Sequence, residues 1–354
     1  MNNSSNHDHK SIFSTINGYA VIAAIPVLTV GILANIFVLY VITKDSYFYK
    51  VTYYLIRVTI ISDIISTFTA VLGFTFITAF DNSYFVGGYL CRIFFYIVVT
   101  SYTVSVFTLS MISVDRYFAI IKPHSQLYRK HKNRFLVIAQ IVSVIIAIGI
   151  NLPAAWFNNV YADDTELCDY ANVNLQQSIY LISMAIVMYL IPSRILIFCY
   201  GSIINHQIHY VRPGNITNAN REDDQLRKKK FIKALIIITA SFLLSTWPFF
   251  ATGIGMAITG KSMRQIGKIH IILYILAFAS FSSTVGIAVI NPFLYLQFDQ
   301  NVRKKSLKML RKLMHYKHNL VQEINRDSVV TGHTNAVQPN RFILYNSPSE
   351  DILL

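Results

Sequence analysis

Residues 91–117 read CRIFFYIVVTSYTVSVFTLSMISVDRY, and the rest of the chain is interpreted from this stretch. No residue between Arg92 and Asp115 is charged, and Cys91 precedes Arg116 by 25 positions. A helix rises about 1.5 Å per residue, so these two residues would lie roughly 37 Å apart. The hydrocarbon core of a bilayer is about 30 Å thick. The stretch therefore predicts one membrane-spanning helix with a thiol at one face and an Asp-Arg pair at the other.

Six further runs of similar length contain almost no charge. The 354-residue chain is 54% hydrophobic and only 14% charged, whereas soluble domains carry about 25% charged residues. Each run approaches or exceeds the roughly 20 residues that cross a bilayer as a helix. The seven runs are 19–43, 58–80 (interrupted by Asp63), 93–114, 135–162, 170–193, 234–260 and 269–298. We predict an all-α membrane protein, a bundle of seven transmembrane helices over residues 19–298.

The distribution of the net charge of +14 predicts the orientation of this bundle. With the N-terminus outside, 25 of the 31 Lys and Arg residues fall at the inner face. This is the positive-inside bias of a multi-pass membrane protein, so the charge does not indicate nucleic acid. We expect the plasma membrane, an extracellular N-terminus (1–18), an amphipathic helix on the inner membrane surface (299–314) and a disordered cytoplasmic tail (315–354).

Two of the three cysteines, Cys91 and Cys168, are predicted to lie at the outer face. An oxidising exterior would permit a disulfide between them. Cys199 falls inside the fifth span, where we expect a simple packing role. The loop that carries Cys168 also holds four acids, which are Asp163, Asp164, Glu166 and Asp169.

Short signatures recur along the spans. They are GILAN at 31–35, Ser62-Asp63, Cys91 with Asp115-Arg116-Tyr117, Pro192 with Tyr200, Phe242 with Pro248, and NPFLY at 291–295. With these motifs at these spacings, the chain resembles the rhodopsin-like (class A) G-protein-coupled receptors over about residues 19–315. The resemblance implies an extracellular ligand and a heterotrimeric G protein as partners, with membrane lipids around the bundle. Arrestin and a receptor kinase are further candidate partners.

A polar cluster around Asp63 is implied by the same resemblance. A buried ionisable group in a membrane is expensive and should face the bundle interior with polar partners. The resemblance gives Asn35, Ser105 and Asn291 as those partners and a sodium ion as a candidate allosteric modulator. No other cofactor or metal is expected. Two positions that are usually polar are Ile287 and Ala288 here, so a water-filled cluster without an ion is the alternative.

The inner half carries the residues that the resemblance assigns to G-protein coupling, which are Asp115, Arg116, Tyr117, Tyr200, Asn291, Pro292 and Tyr295. Arg116 is expected to pair with Asp115 in the inactive state. An acid that locks this arginine from the sixth helix in some relatives is replaced by Lys228, so other contacts must hold the inactive state. Pro192, Pro248 and Pro292 each remove a backbone hydrogen bond and predict kinks, which act either as hinges or as static bends.

The sixth span departs from the family pattern at its tryptophan. Trp247 directly precedes Pro248, whereas the family has tryptophan at the position of Thr246. One residue turns a side chain by about 100° around a helix. We therefore expect Phe250 or Phe242 to replace tryptophan as the conformational switch.

The ligand cavity implied by the resemblance is apolar and aromatic. Its projected lining is Val98, Val99, Tyr102, Met184, Met188, Phe249, Phe250, Phe281 and Val285. Val98 replaces the acid of amine receptors, and Val285 replaces the retinal-binding lysine of opsins. We favour a neuropeptide, with the acidic outer loop attracting a basic group. A lipid or other apolar ligand is the alternative.

Other classes of function fit the sequence less well. A transporter or channel is the distant alternative, because internal repeats and interrupted helices are not evident. An enzyme is not expected, since no nucleophile-base set and no His/Cys metal cluster is found in the sequence.

Overall fold

The computed structural model describes residues 12–80, 83–123, 126–170, 173–209 and 219–312, together with Met314. Helices dominate, and one short hairpin interrupts them. The elements are α1 (Ile12–Lys44), α2 (Val51–Ala79), α3 (Tyr84–Ile121), α4 (Gln126–Asn151), α5 (Ala154–Phe157), β1 (Asn159–Tyr161), β2 (Asp164–Asp169), α6 (Leu175–Ala185), α7 (Ile191–His209), α8 (Ala219–Thr259), α9 (Met263–Ile269), α10 (Ile271–Phe298) and α11 (300–312).

Seven stretches of helix are long and apolar enough to cross a membrane, which confirms the predicted fold class. Six spans lie within α1, α2, α3, α4 (extended to Phe157), α8 and α10. The fifth span joins α6 and α7 through a π-helical turn at Ile186–Leu190. Such a turn adds a residue to the helical repeat and shifts the phase of the side chains that follow it.

The burial pattern is the reverse of that of a water-soluble bundle. Large apolar side chains such as Leu33, Ile145 and Phe198 are each 63% exposed on the outside of the spans. Polar side chains such as Asn35 and Asp115 are fully buried between the helices. This arrangement suits a bilayer, in which apolar side chains face the lipid and polar groups need partners inside the protein.

Polar caps fix where the helices begin at the outer face. Ser83 accepts a hydrogen bond from the backbone of Val86 at the start of α3. Asn174 with Gln177 and Ser262 with Gln265 form reciprocal capping boxes at the starts of α6 and α9. Each cap satisfies backbone N–H groups that have no partner within their helix.

The inner end of α10 turns directly into α11. Asp299 separates the two helices, and its side chain accepts hydrogen bonds from the backbones of Asn301 (2.9 Å) and Val302 (3.3 Å). Burial raises the pKa of Asp299. The bundle forms one compact unit that ends at Ser306. The surface location predicted for 299–314 stays a prediction, while residues 1–11 of the N-terminus and the tail 315–354 lie outside the described residues.

Candidate functional site

A disulfide joins the outer end of α3 to the β-hairpin. Cys91 and Cys168 are bonded, with Cα atoms 5.6 Å apart, so the predicted bridge is confirmed. Val160 of β1 is the strand partner of Cys168. The Arg92 side chain also donates a hydrogen bond to the carbonyl of Asn158 (3.1 Å). The hairpin is therefore held against α3 at more than one point.

A second set of contacts ties the hairpin to α9. The guanidinium of Arg264 donates two hydrogen bonds to Asp163 (2.8 and 2.5 Å) and lies 4.4 Å from the ring centre of Tyr161. Hydrogen bonding to Arg264 lowers the pKa of Asp163 to about 2. The geometry is bidentate, which is the most directional form of an arginine–carboxylate pair.

Asp169, which is buried, also connects the hairpin to α9. Its carboxylate is 3% exposed and accepts hydrogen bonds from the backbones of Tyr170 (2.7 Å) and Arg264 (3.1 Å) and from the hydroxyl of Tyr161 (3.1 Å). Burial raises the pKa of Asp169 to about 6. Asp164 is buried as well. The acids of this loop therefore differ in their environments, and Asp163 and Asp169 fasten the hairpin to α9.

An open cavity of about 160 Å³ lies beneath the hairpin, between the outer halves of the helices. Six residues of the projected lining are in its wall: Val98, Met184, Phe249, Phe250, Phe281 and Val285. The projection did not include Asn17, Thr69, Phe74, Phe95, Glu166, Tyr170, Leu181, Met256, Met263 and Phe278, which also line the cavity.

The other three projected residues do not line this cavity. Val99, Tyr102 and Met188 are 4%, 7% and 0% exposed and lie packed in the bundle. Met188 falls in the π-helical turn, and its sulfur accepts a hydrogen bond from the hydroxyl of Thr103 on α3 (3.4 Å). Tyr102 is covered because its ring stacks on Phe242, with centroids 5.2 Å apart.

A chain of aromatic rings leads from the cavity to the middle of the bundle. Phe249 contacts Phe281 (5.1 Å) and Phe250 (5.0 Å), and Phe250 in turn contacts Tyr102 (5.9 Å between centroids). Tyr102 then stacks on Phe242. Trp247 is 52% exposed on the outside of α8, whereas Thr246 is fully buried. The tryptophan thus points away from this path, and Phe250 and Phe242 lie on it.

Asp63 lies in a buried polar cluster at mid-bundle. Its carboxylate accepts hydrogen bonds from Asn291 (2.8 Å) and Ser105 (3.4 Å). The Asn35 side chain instead donates to the carbonyls of Gly31 (3.0 Å) and Ala288 (2.8 Å). The oxygens of both asparagine side chains are buried without a hydrogen-bond partner in the described residues.

This cluster fits a sodium ion only in part. Asp63 and Ser105 offer oxygens, but Asn291 presents its amide N–H to the carboxylate. Ile287 and Ala288 are buried apolar residues that provide no side-chain oxygen. The described hydrogen bonds to this carboxylate come from Asn291 and Ser105.

At the inner end of α3, three side chains surround the carboxylate of Asp115. One oxygen accepts hydrogen bonds from Arg116 (2.7 Å) and Thr52 (3.2 Å), and the other lies 2.6 Å from the ammonium of Lys132. Arg116 also donates to the hydroxyl of Thr52. The carboxylate has no exposed surface, while Arg116 and Lys132 are 20% and 27% exposed. Asp115 therefore links α2, α3 and α4.

Lys132 was missed by sequence reasoning, because nothing in the sequence marks one lysine among many at the inner face. The side chain of Lys228, the position without the expected acid, lies outside the described side chains. Among the described residues, Arg116 donates hydrogen bonds to Thr52 of α2 and Asp115 of α3.

The remaining residues that the resemblance assigns to coupling lie on α3, α7 and α10. The rings of Tyr117 and Phe198 are 5.6 Å apart. Tyr200 and Tyr295 are buried, and neither hydroxyl has a hydrogen-bond partner among the described residues. Pro248 and Pro292 lie inside α8 and α10, and Pro192 follows the π-helical turn at the start of α7. Their roles as hinges remain predictions.

Comparison with known proteins identifies the family. A family model described as "7 transmembrane receptor (rhodopsin family)" matches residues 34–295. The chain is 23% identical to a QRFP-like peptide receptor of Branchiostoma floridae (65% of this chain, 61% of the relative). It is 25% identical to galanin receptor type 1 of Rattus norvegicus (62% and 60%) and 24% identical to the RYamide receptor of Tribolium castaneum (81% and 79%).

The chain thus spans about three fifths of the length of the first two relatives. The match confirms a multi-pass membrane protein. Since the matched segment runs from Ala34 to Tyr295 and includes all the motifs from Asp63 to Tyr295, the chain belongs to the rhodopsin family of seven-transmembrane receptors.

Proposed function

We propose that the chain is a plasma-membrane receptor that binds an extracellular neuropeptide and activates a heterotrimeric G protein. The observation that carries the proposal is the arrangement of α3. Its outer end is bonded to the hairpin above an open cavity, and its inner end holds Arg116 in a buried ion cluster. One helix therefore contacts both the ligand side and the G-protein side.

The orientation follows from charge. By sequence, 25 of the 31 Lys and Arg residues fall in segments predicted on the side of Arg116, whereas the disulfide lies at the other end of α3. The positive-inside bias and the oxidising exterior favour the same assignment. The cavity then opens to the extracellular side, with the C-terminus in the cytoplasm.

The aromatic path provides a mechanism. A ligand between Phe249 and Phe281 displaces rings that contact Phe250, which contacts Tyr102 and so reaches Phe242. Pro248 leaves a carbonyl of α8 without its helical hydrogen bond, so the two halves of α8 are able to move independently. The inner half moves outward, Arg116 leaves Asp115, and the unpartnered hydroxyls of Tyr200 and Tyr295 gain new partners. Ligand binding shifts this equilibrium only by its differential affinity for the two states.

Two observations favour a peptide over a lipid. The cavity is open and lies beneath a polar hairpin. The relatives include proteins named as a QRFP-like peptide receptor and a neuropeptide Y receptor. The apolar lining keeps a lipid or other apolar molecule as the second candidate. Arrestin, a receptor kinase and a sodium ion at Asp63 stay predictions.

The test removes the positive charge of Arg116, which we propose contacts the G protein. We expect Arg116→Gln to reduce both basal and peptide-stimulated nucleotide exchange at least about tenfold, because a charge-assisted contact is lost. Surface expression should stay within about twofold of the unmodified chain. The measurement is exchange in membranes from cells that express a panel of Gα subunits, stimulated with a neuropeptide library.

Arg134→Gln is the matched control, because Arg134 is an exposed arginine at the inner end of α4. Its coupling should be unchanged. Full coupling in Arg116→Gln would refute the mechanism.

A further inference from the structure

Arg194 is a charged residue within the fifth span, and it takes no part in the cavity, the aromatic path or the ion cluster. It belongs to α7, and its side chain is exposed on the outside of the bundle. The span runs from Leu175 to His206, so Arg194 follows its outer end by 19 residues and precedes its inner end by 12. These separations correspond to roughly 28 Å and 18 Å along the helix. An ionisable residue at such a depth is energetically costly and usually has a function.

The chain provides no counter-charge for this arginine. Among the described residues, Arg194 forms no hydrogen bond and no ion pair. The exposed side chains beside it on the helix, such as Leu190, Ile191 and Ile197, are apolar. A second copy of this chain would not neutralise the charge either. Asp63 is the only carboxylic acid within the seven uncharged runs, and it is buried inside the bundle.

The level of Arg194 in the membrane follows from the contacts of α7 with α3. The ring of Phe198, four residues farther along α7, lies 5.6 Å from the ring of Tyr117, which follows Arg116. Arg194 is therefore only about 6 Å farther from the inner face than this level. The stem of an arginine lies along apolar surface while its guanidinium extends toward the polar region of the bilayer. The nearer headgroups are those of the leaflet on the side of Arg116.

The face of α7 between Arg194 and the inner end of the helix has room for a headgroup. Gly201 and Asn205 follow Arg194 by seven and eleven residues, which places each within about 20° of it around the helix. Gly201 is exposed, and a Cβ atom at this position would contact nothing within 4 Å, so the helix surface is recessed there. Asn205 is also exposed, and its side-chain amide carries two N–H donors.

We propose that Arg194, Gly201 and Asn205 form a binding site for an anionic phospholipid of the inner leaflet. The phosphate lies over Gly201 and accepts hydrogen bonds from the Arg194 guanidinium on one side and the Asn205 amide on the other. Arginine suits this role because its planar group binds two phosphate oxygens at once. Anionic lipids are concentrated in the cytoplasmic leaflet. The site goes beyond the proposed function, because lipid binding requires neither the extracellular ligand nor the G protein.

The test measures which lipid lies against this face of α7. Trp156→Phe and Trp247→Phe remove the two tryptophans of the chain, and Ile197→Trp introduces a single reporter at a position that is 67% exposed. The full-length chain is placed in vesicles of phosphatidylcholine with a minor fraction of phosphatidylserine. In separate samples, one lipid or the other carries brominated acyl chains, which quench tryptophan fluorescence on contact. The ratio of quenching gives the affinity for phosphatidylserine relative to phosphatidylcholine at this face.

We expect this reporter to show a preference of about threefold to fivefold for phosphatidylserine, which is the effect of one arginine near an anionic membrane surface. Arg194→Leu should abolish the preference. The variant is compatible with folding, because it replaces a lipid-facing charge with an apolar side chain. Arg194→Lys should keep only part of the preference, since it retains the charge and loses the bidentate contact. Asn205→Ala should lower the preference by a smaller factor than Arg194→Leu.

Gly201→Leu tests the recess without changing the charge. It should remove most of the preference, because the new side chain occupies the place of the phosphate. Gly149→Leu is the matched control, since Gly149 of α4 is also exposed and a Cβ atom there would likewise contact nothing within 4 Å. The control should show the same preference as the reporter chain with glycine at both positions.

Two results would overturn the proposal. Equal quenching by the two lipids would show that this face does not select an anionic lipid. A preference that survives Arg194→Leu would show that Arg194 is not the residue that binds it. Photo-cross-linking from position 197 in cells identifies the other source of negative charge. A covalent product with a second membrane protein that is lost in Arg194→Leu, without any lipid preference, would assign the counter-charge to a carboxylate of that protein.

Discussion

At the residue scale, two cations contact the buried carboxylate of Asp115. Arg116 lies at one oxygen and Lys132 at the other. Two cations therefore lie beside one buried anion, and each of them is only partly exposed. The attraction of Arg116 to Asp115 is therefore weakened by the repulsion from Lys132. We therefore propose that Lys132 makes Arg116 easier to release from Asp115.

This cluster predicts that Lys132→Met lowers ligand-independent nucleotide exchange several-fold, because Arg116 becomes the only described cation on Asp115. Lys132→Arg should restore the normal level, since it keeps the charge. Lys130→Met is the control, because Lys130 is an exposed lysine nearby on α4. The effect should vanish in the Asp115→Asn background, which a double-mutant cycle measures. A rise in exchange, or an equal fall in Lys130→Met, would contradict this prediction.

At the element scale, the hairpin lies over the cavity and is attached to two helices, α3 and α9. The disulfide and Arg92 hold it to α3, while Asp163 and Asp169 hold it to Arg264 at the start of α9. Since the two acids have pKa values shifted in opposite directions, the attachment to α9 depends on pH in two separate ranges.

For Asp169, burial raises the pKa in the folded state to about 6. When the hairpin detaches, the solvated carboxyl would titrate near its usual value of about 4. Detachment then releases a proton between about pH 4 and pH 6, so the attachment weakens as pH rises through this range. The full effect is on the order of 3 kcal/mol. We expect slower hydrogen exchange of the Tyr170 and Arg264 amides at pH 5 than at pH 7, after correction for intrinsic rates.

Asp169→Asn should remove this difference in protection, because no proton is released. The Asp163 pair has the opposite sign. Its lowered pKa stabilises the attachment above about pH 4, and this contribution is lost as pH falls toward 2. Asp163→Asn should therefore leave the difference between pH 5 and pH 7 intact. Equal protection at the two pH values in the unmodified chain would refute the role of Asp169.

The helices could be predicted from the sequence, but the contacts between distant segments could not. The seven spans follow from uncharged runs, because a bilayer admits long apolar helices and little else. The pair Asp163–Arg264 joins the hairpin to α9 across 101 positions of sequence, and no local sequence pattern predicts such a contact. The resemblance placed Met188 in the cavity, whereas the side chain is fully buried and its sulfur contacts Thr103 of α3 (3.4 Å). Contacts along one element are thus predictable, and contacts between loops require the structure.

At the scale of the whole molecule, the cavity and the ion cluster lie at opposite ends of α3 and bias the same equilibrium. If ligand binding favours release of Arg116, release of Arg116 must favour ligand binding by the same factor. A variant that opens the inner end should therefore strengthen binding at the outer end without any contact to the ligand.

Asp115→Asn provides this test, because it leaves Arg116 beside Lys132 without the carboxylate between them. We expect basal nucleotide exchange to rise about fivefold to tenfold and the affinity for an activating peptide, measured without G protein, to rise by no more than the same factor. Ser113→Ala, two residues earlier on α3 and also buried, controls for packing changes and should alter neither quantity. Higher basal exchange with unchanged peptide affinity would mean that the two ends of α3 are not coupled.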